Sequence, residues 1–140
     1  MPGEFGARKL RKIRKRNRLR ETKYKNRVFQ LKKRKPFVGA PQAKGIVIEK
    51  KGVEQKQPHS GIIKCVRVRL LKNGKEITAH VPRTDAIKYI NEHDNVLLEG
   101  LGGSQGGAIG SMWGVKYKVV AVNNVPLEMI RIGKKQKPVK

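Results

Sequence analysis

From residue 46 onward, apolar and polar positions alternate. Residues 46–50 are a short β-branched run, and Val66, Val68 and Leu70 alternate with Arg67 and Arg69 as a half-buried strand does. Lys64 falls on the apolar parity, so this strand either starts late or carries a bulge. Asn73-Gly74 follows, a strong hairpin signal because a type I′ turn needs positive φ at both positions. Ile77, Ala79 and Val81 then alternate with Thr78 and His80, and Pro82 ends that strand. A small helix is predicted next, capped by Thr84, with Asp85 at its positive end and Ala86, Ile87 and Ile90 on one side. Residues 96–99 read as a fourth strand. Residues 115–122 read as a fifth, with Tyr117, Val119 and Ala121 on one face. Pro126 opens a last short turn of helix.

Strand, strand, strand, helix, strand, strand is the order associated with an OB-fold, a small barrel that binds oligonucleotides. An SH3-like barrel is the structural rival, and the helix after the third strand argues against it. The expected fold is therefore all-β: a five-stranded OB-fold barrel over 46–131 with one short helix between strands three and four. Before it, Ala7, Leu10 and Ile13 recur at helical spacing, and so do Tyr24, Val28 and Leu31. Residues 1–36 are thus expected to be a partly helical extension, 37–45 a linker, since the stretch from Pro36 to Lys44 holds two prolines and a glycine, and 132–140 a tail bearing Lys134, Lys135, Lys137 and Lys140.

Charge turns this outline into a functional reading. The chain has 140 residues, 34 Lys or Arg and 10 Asp or Glu, a formal net charge of +24. The extension holds 16 of those cations against Glu4 and Glu21. So much like charge resists compaction in water, and a polyanion is the first partner it implies. The extension is expected to order fully only when phosphates neutralise it, with Arg8, Lys9, Arg11, Lys12, Arg14, Lys15 and Arg16 supplying many of the contacts. Its charges run on with no apolar segment, unlike a signal peptide, and no apolar stretch approaches the length of a membrane span. A mitochondrial presequence and a solvated localisation tail are the other readings of such a segment. One cysteine, Cys65, excludes an internal disulfide and a Cys-based zinc finger, and three histidines at 59, 80 and 93 lack zinc-ligand spacing. No metal or cofactor is expected, beyond Mg held by surrounding RNA.

Two loops are the candidate site, because OB-folds meet nucleic acid at the loops joining strands one to two and four to five. The first, 51–61, is almost free of apolar side chains. Lys56, Gln57, Pro58, His59, Ser60 and Gly61, with Lys64 beyond them, offer charge, donors and acceptors to RNA hydroxyls and base edges. An ordinary polar hairpin loop is the plain alternative. The second, 100–114, holds seven glycines, among them Gly102, Gly103, Gly106 and Gly107 around Ser104 and Gln105. Without side chains a backbone can approach another backbone closely. A flexible linker is the alternative, although the apolar pair Met112-Trp113 should bury against something. With seven aromatics in all, four of them at or before Phe37, stacking platforms on the barrel are few. Folded RNA read through phosphates, shape and 2′-hydroxyls fits better than a generic single strand.

Catalysis finds no support. Neither GxxxxGK[ST] nor GxGxxG occurs, and Ser60 beside His59 lacks the arrangement of a triad. Asp85, Glu92 and Asp94 lie on and after the short helix, where they cap and solvate it rather than bind metal. Cys65 reads as a small buried hydrophobe. A free RNA chaperone or initiation-factor-like protein is the rival from another class, and it needs exposed aromatics.

Longer motifs narrow the choice. Residues 43–50 (AKGIVIEK), 52–54 (GVE), 56–58 (KQP), 64–68 (KCVRV) and 72–75 (KNGK) closely resemble the small-subunit ribosomal protein twelve family, whose eukaryotic members are called protein twenty-three. The opening ARKL at 7–10 and the closing GVKYKV at 114–119 extend the likeness, and GAPQA at 39–43 is of the archaeal and eukaryotic type. The resemblance implies an OB-fold whose extension threads into small-subunit ribosomal RNA, among neighbouring ribosomal proteins, in the cytoplasmic ribosome. It implies a place at the decoding centre, with the first loop near the mRNA–tRNA pair at the A site and near translation factors, and a role in accurate tRNA selection. It implies no membrane and no small-molecule substrate. In eukaryotic members the proline matching Pro58 is a hydroxylation site. The chain departs from the family pattern at His59, Gly61, Ile63, Ser111 and Trp113.

Overall fold

A computed structural model of the protein describes residues 3, 5–102, 107 and 110–139. The chain divides into two compact units, Met1–Gly39 and Ala40–Lys140.

The first unit is helical: α1 (Gly6–Arg20), α2 (Thr22–Val28) and α3 (Leu31–Arg34). Leu, Arg, Lys and Gln are strong helix formers, and no glycine or proline interrupts residues 7–35. None of the three helices buries a residue. Helicity here comes from backbone propensity rather than from packing. Glu21 breaks α1 from α2 in an extended conformation, and Gln30 turns the chain with φ 48° before α3. Tyr24, Val28 and Leu31 therefore do not share one helix, although their spacing predicts it. The aromatic rings serve cations instead, with the Arg8 guanidinium 5.0 Å from the Phe5 ring centre and Arg18 4.7 Å from that of Tyr24.

The second unit runs β1 (Gln42–Glu54), β2 (Ile62–Leu70), β3 (Glu76–His80), a 3₁₀ turn (Ala86–Tyr89), β4 (Asn95–Gly100), β5 (Tyr117–Val122), β6 (Val125–Pro126) and α4 (Leu127–Ile132). The strands form one sheet in the order β3-β2-β1-β4-β5-β6. Its buried side chains are almost wholly aliphatic, with Val47, Val66, Val68, Leu70, Leu98, Val119 and Val122 at 1 % exposure or less, and Ile90 after the 3₁₀ turn is fully buried with them.

This architecture corrects the all-β, five-stranded OB-fold barrel that the element order predicts. The fold is mixed α/β, with four α-helices among the described residues and a six-stranded sheet. Two causes account for the difference. The basic extension is helix throughout most of its length, and Leu127–Ile132 completes a helix closed by Gly133 at φ 85°. The sixth strand arises because Asn123 and Asn124 both take positive φ and turn the chain tightly enough for Val125 to pair with Val122. β3 meets β5 through only two parallel pairs, Ala79 with Tyr117 and His80 with Lys118.

Smaller expectations also shift. The helix after β3 is a single 3₁₀ turn whose N-cap position is Asp85, with φ 63° and no side-chain cap, so Thr84 does not cap it. The Asn73-Gly74 hairpin forms, but Leu70 pairs with Lys75 across a four-residue loop in which only Gly74 has positive φ. The parity break at Lys64 has a packing cause. Cys65 and Val66 are both buried in succession, Cys65 with Ile63 and Val115 in a small separate cluster, Val66 in the main core. β2 thus passes from one core to another, and the bulge of this strand pair lies further along, in β1 between Val47 and Glu49, facing Val68 and Arg67.

Gly45, near the start of β1, is paired with Leu70 on one side and Val96 on the other. A Cβ there would press on the Val68 side chain and lie 2.8 Å from the Arg69 carbonyl oxygen. Gly45→Ala is expected to destabilise the protein by about 1–3 kcal/mol, the cost of overpacking against backbone, read as a lowered midpoint in thermal denaturation.

Candidate nucleic-acid interface

The strand β1 runs on to Glu54, so the first candidate loop is 55–61, shorter than the pattern predicts. Its ends are joined by Gln55 N–H donating to the Gly61 carbonyl at 3.0 Å, and a turn is closed by His59 N–H donating to the Lys56 carbonyl at 2.9 Å. The Gln57-Pro58 peptide is cis. Lys56, Gln57, Pro58, His59, Ser60, Gly61 and Lys64 are all exposed. The backbone is thus tied while the side chains face solvent, which is the arrangement a recognition loop needs. Among the described residues Lys56 and Lys64 make no ion pair.

The fold brings the second loop against the first. Lys56 N–H donates to the Ser111 carbonyl at 3.3 Å, and the Trp113 indole Nε1–H donates to the Glu54 carbonyl at 2.8 Å. Below them Met112, Leu101 and Val53 pack on the small core of Ile63, Cys65 and Val115. Met112 is therefore partly buried, as an apolar residue on a glycine loop should be, whereas Trp113 keeps 53 % of its surface exposed. Gly102 and Gly107 have φ of 84° and 111°, and Gly107 N–H returns to the Leu101 carbonyl at 3.1 Å. Gly103, Ser104, Gln105 and Gly106 lie outside the described residues.

The sequence places Ser111 and Trp113 in the second candidate loop but does not give their contacts with the first. The legible signal was the apolar pair within a glycine run, which marks an anchor point. Ile63 is also explained: at 8 % exposure it is a floor residue of the small core, not a side chain offered to a ligand. Burial pushes the Cys65 thiol above its ordinary range, consistent with an inert packing role.

In the helical unit, Arg8, Lys9, Arg11, Lys12, Arg14, Lys15 and Arg16 are all exposed on α1, and none is ion-paired among the described residues. Elsewhere several acids are committed to particular cations. Glu76 takes Arg69 at 3.1 Å and Arg67 at 3.2 Å, and those hydrogen bonds hold it below the usual carboxylate range. Arg131, at 2.7 Å, does the same for Glu128. Among the described residues no such pair engages Lys56, Lys64 or the seven α1 cations, which leaves them open to phosphate. Among the described residues no group of three or more His, Cys, Asp or Glu could hold a metal.

A family model described as Ribosomal protein S12/S23 matches residues 30–140. The chain belongs to that family. It is a structural, non-catalytic, RNA-binding constituent of the small ribosomal subunit, and ribosomal RNA and other ribosomal proteins are its partners. The match takes in the whole sheet unit and both candidate loops, while the seven α1 cations precede it.

Proposed function

We propose that the protein helps hold the decoding centre of the small subunit in a productive geometry, presenting the 55–61 loop towards the mRNA–tRNA pair at the A site. The observation that carries this reading is the loop's construction. Its backbone is fixed by hydrogen bonds at Gln55, Lys56 and His59, and every side chain from Lys56 to Ser60 is exposed. A preorganised loop loses little conformational entropy on contact and positions donors to within a fraction of an ångström. The α1 cations neutralise ribosomal RNA phosphates, and the glycine loop allows close backbone approach. The setting is the cytoplasmic ribosome, with translation factors passing nearby. The work is positional, and no bond is made or broken by the protein.

Lys56→Ala and Ser60→Ala are expected to change misreading by about two- to tenfold, the worth of one hydrogen bond, while subunits still assemble. Reporter measurements of codon misreading, together with sucrose-gradient profiles, check this. Loss of assembly with normal fidelity in the surviving subunits would overturn it. Crosslinks from a photoreactive residue placed at 57 or 60 should map to A-site nucleotides of the small-subunit RNA.

A further inference from the structure

Trp113 is the one tryptophan of the chain, and its placement is unusual for an exposed aromatic. Its single donor is already used, since the indole Nε1–H bonds the Glu54 carbonyl at 2.8 Å. The residues around it are anchored on both sides, Ser111 through its carbonyl to Lys56 and Met112 in the small core. What remains outward, 53 % of the residue, therefore carries no unsatisfied side-chain donor. Its neighbour on the chain, Gly114, has no side chain to cover that ring.

We infer that Trp113 is a stacking platform for an unpaired nucleobase of RNA, next to the 55–61 loop. The proposal rests on the reading of that loop as an RNA contact, and adds to it a ligand class and a mode of binding. Three features favour a base over a protein side chain. Lys56, whose backbone is bonded two residues away from Trp113, is exposed and without an ion pair among the described residues, so a phosphate of the same nucleotide strand has a partner. The exposed residues from Lys56 to Gly61 are polar or small, apart from Pro58, unlike the apolar centre of a protein–protein contact. The ring is already fixed in the free chain, so a base gains stacking energy without ordering the platform first. Every nucleobase has a π-face, so the contact fixes position more than sequence.

The test uses the full chain and transcribed small-subunit ribosomal RNA at about 200 mM salt, where phosphate contacts no longer mask a local one. Indole emission from Trp113 should be strongly quenched at saturation. Trp113→Leu should weaken binding by about 5- to 150-fold, the range for one base stacked on an aromatic, and Trp113→Phe should recover most of that loss. Both variants forfeit the bond to Glu54, so melting curves of the two should coincide. If Phe is as weak as Leu, the indole N–H matters as a structural anchor and the platform is refuted. Emission unchanged by RNA but blue-shifted in the assembled subunit would mean that a protein covers the ring, which also refutes it. If either result comes with crosslinks from residues 57 and 60 to ribosomal RNA intact, only the stacking falls. If those crosslinks are absent as well, the reading of the loop falls with it.

Discussion

Replacing Arg8, Lys9, Arg11, Lys12, Arg14, Lys15 and Arg16 together by glutamine will flatten the salt dependence of ribosomal RNA binding. Each phosphate neutralised by a lysine or arginine releases counterions and contributes about −0.7 to −0.9 to the slope of log affinity against log salt, so seven contacts contribute about −5 to −6. Between 50 and 200 mM salt the native chain should lose affinity roughly a thousandfold more steeply than the variant. Glutamine is chosen because it forms helix nearly as well as lysine or arginine, so α1 is kept and only its charge is removed. All seven side chains are exposed, and α1 buries nothing, so the substitutions cost no packing. Filter binding at several salt concentrations gives both slopes. Equal slopes would show that these cations never reach phosphate.

The second large effect concerns Asp94, at 5 % exposure the one buried charged or polar residue among those described. Its carboxylate accepts from Asn91 N–H at 2.8 Å and from Asn123 Nδ2 at 3.3 Å, and pairs with the Lys137 ammonium. Its backbone carbonyl accepts from Val47 N–H, at the β1 bulge. Burial alone would push its acidity the other way, but Lys137 and the two asparagine donors outweigh it and hold Asp94 below the usual aspartate range.

Asp94→Ala leaves Asn91 N–H and Asn123 without an acceptor and Lys137 without its counter-ion. Lys137, with 19 % of its side chain exposed, can partly recover by reaching water, so the cost is expected at about 2–3 kcal/mol rather than the 3–5 of a fully buried broken pair. For a domain of this size that is a fall in melting temperature of roughly 10–20 °C. The pH dependence has a definite sign. The folded-state acidity constant lies below the unfolded one, so Asp94 contributes its full stabilisation above the ordinary aspartate range and loses it as pH falls through the depressed value. The gap between native and variant melting temperatures should hold steady near neutrality and close only below about pH 4. A gap that is absent at pH 7 would refute the role.

That cluster shows where pattern reading stopped. Lys134, Lys135 and Lys137 read as a free basic tail, yet Lys137 is spent inside the molecule on Asp94, and the Pro138 carbonyl accepts from Asn123. Asp94 reads as a residue that solvates a short helix, and it does serve the Asn91 N–H. Its main partner, however, is 43 residues away. Likewise the sixth strand depends on a tight turn at Asn123 and Asn124; their polarity marks a break in the apolar run, but not that Val125 returns to pair with Val122.

The sequence by itself determined what depends on near neighbours. Alternation in 66–70 and 77–81 set β2 and β3, uninterrupted helix formers set α1, Gly74 set a hairpin, and the sign of the charge set the class of partner. Long motifs within 30–140 also carried the family. Only the tertiary structure decided that the chain is mixed α/β with six strands, and that β2 crosses between two cores at Cys65 and Val66. It alone showed that the two loops are one site, since Trp113 meets Glu54 across 59 residues of chain. Periodicity reports which face of an element is apolar, but not which distant element covers that face, because that choice is made by packing and by the pairing of buried polar groups.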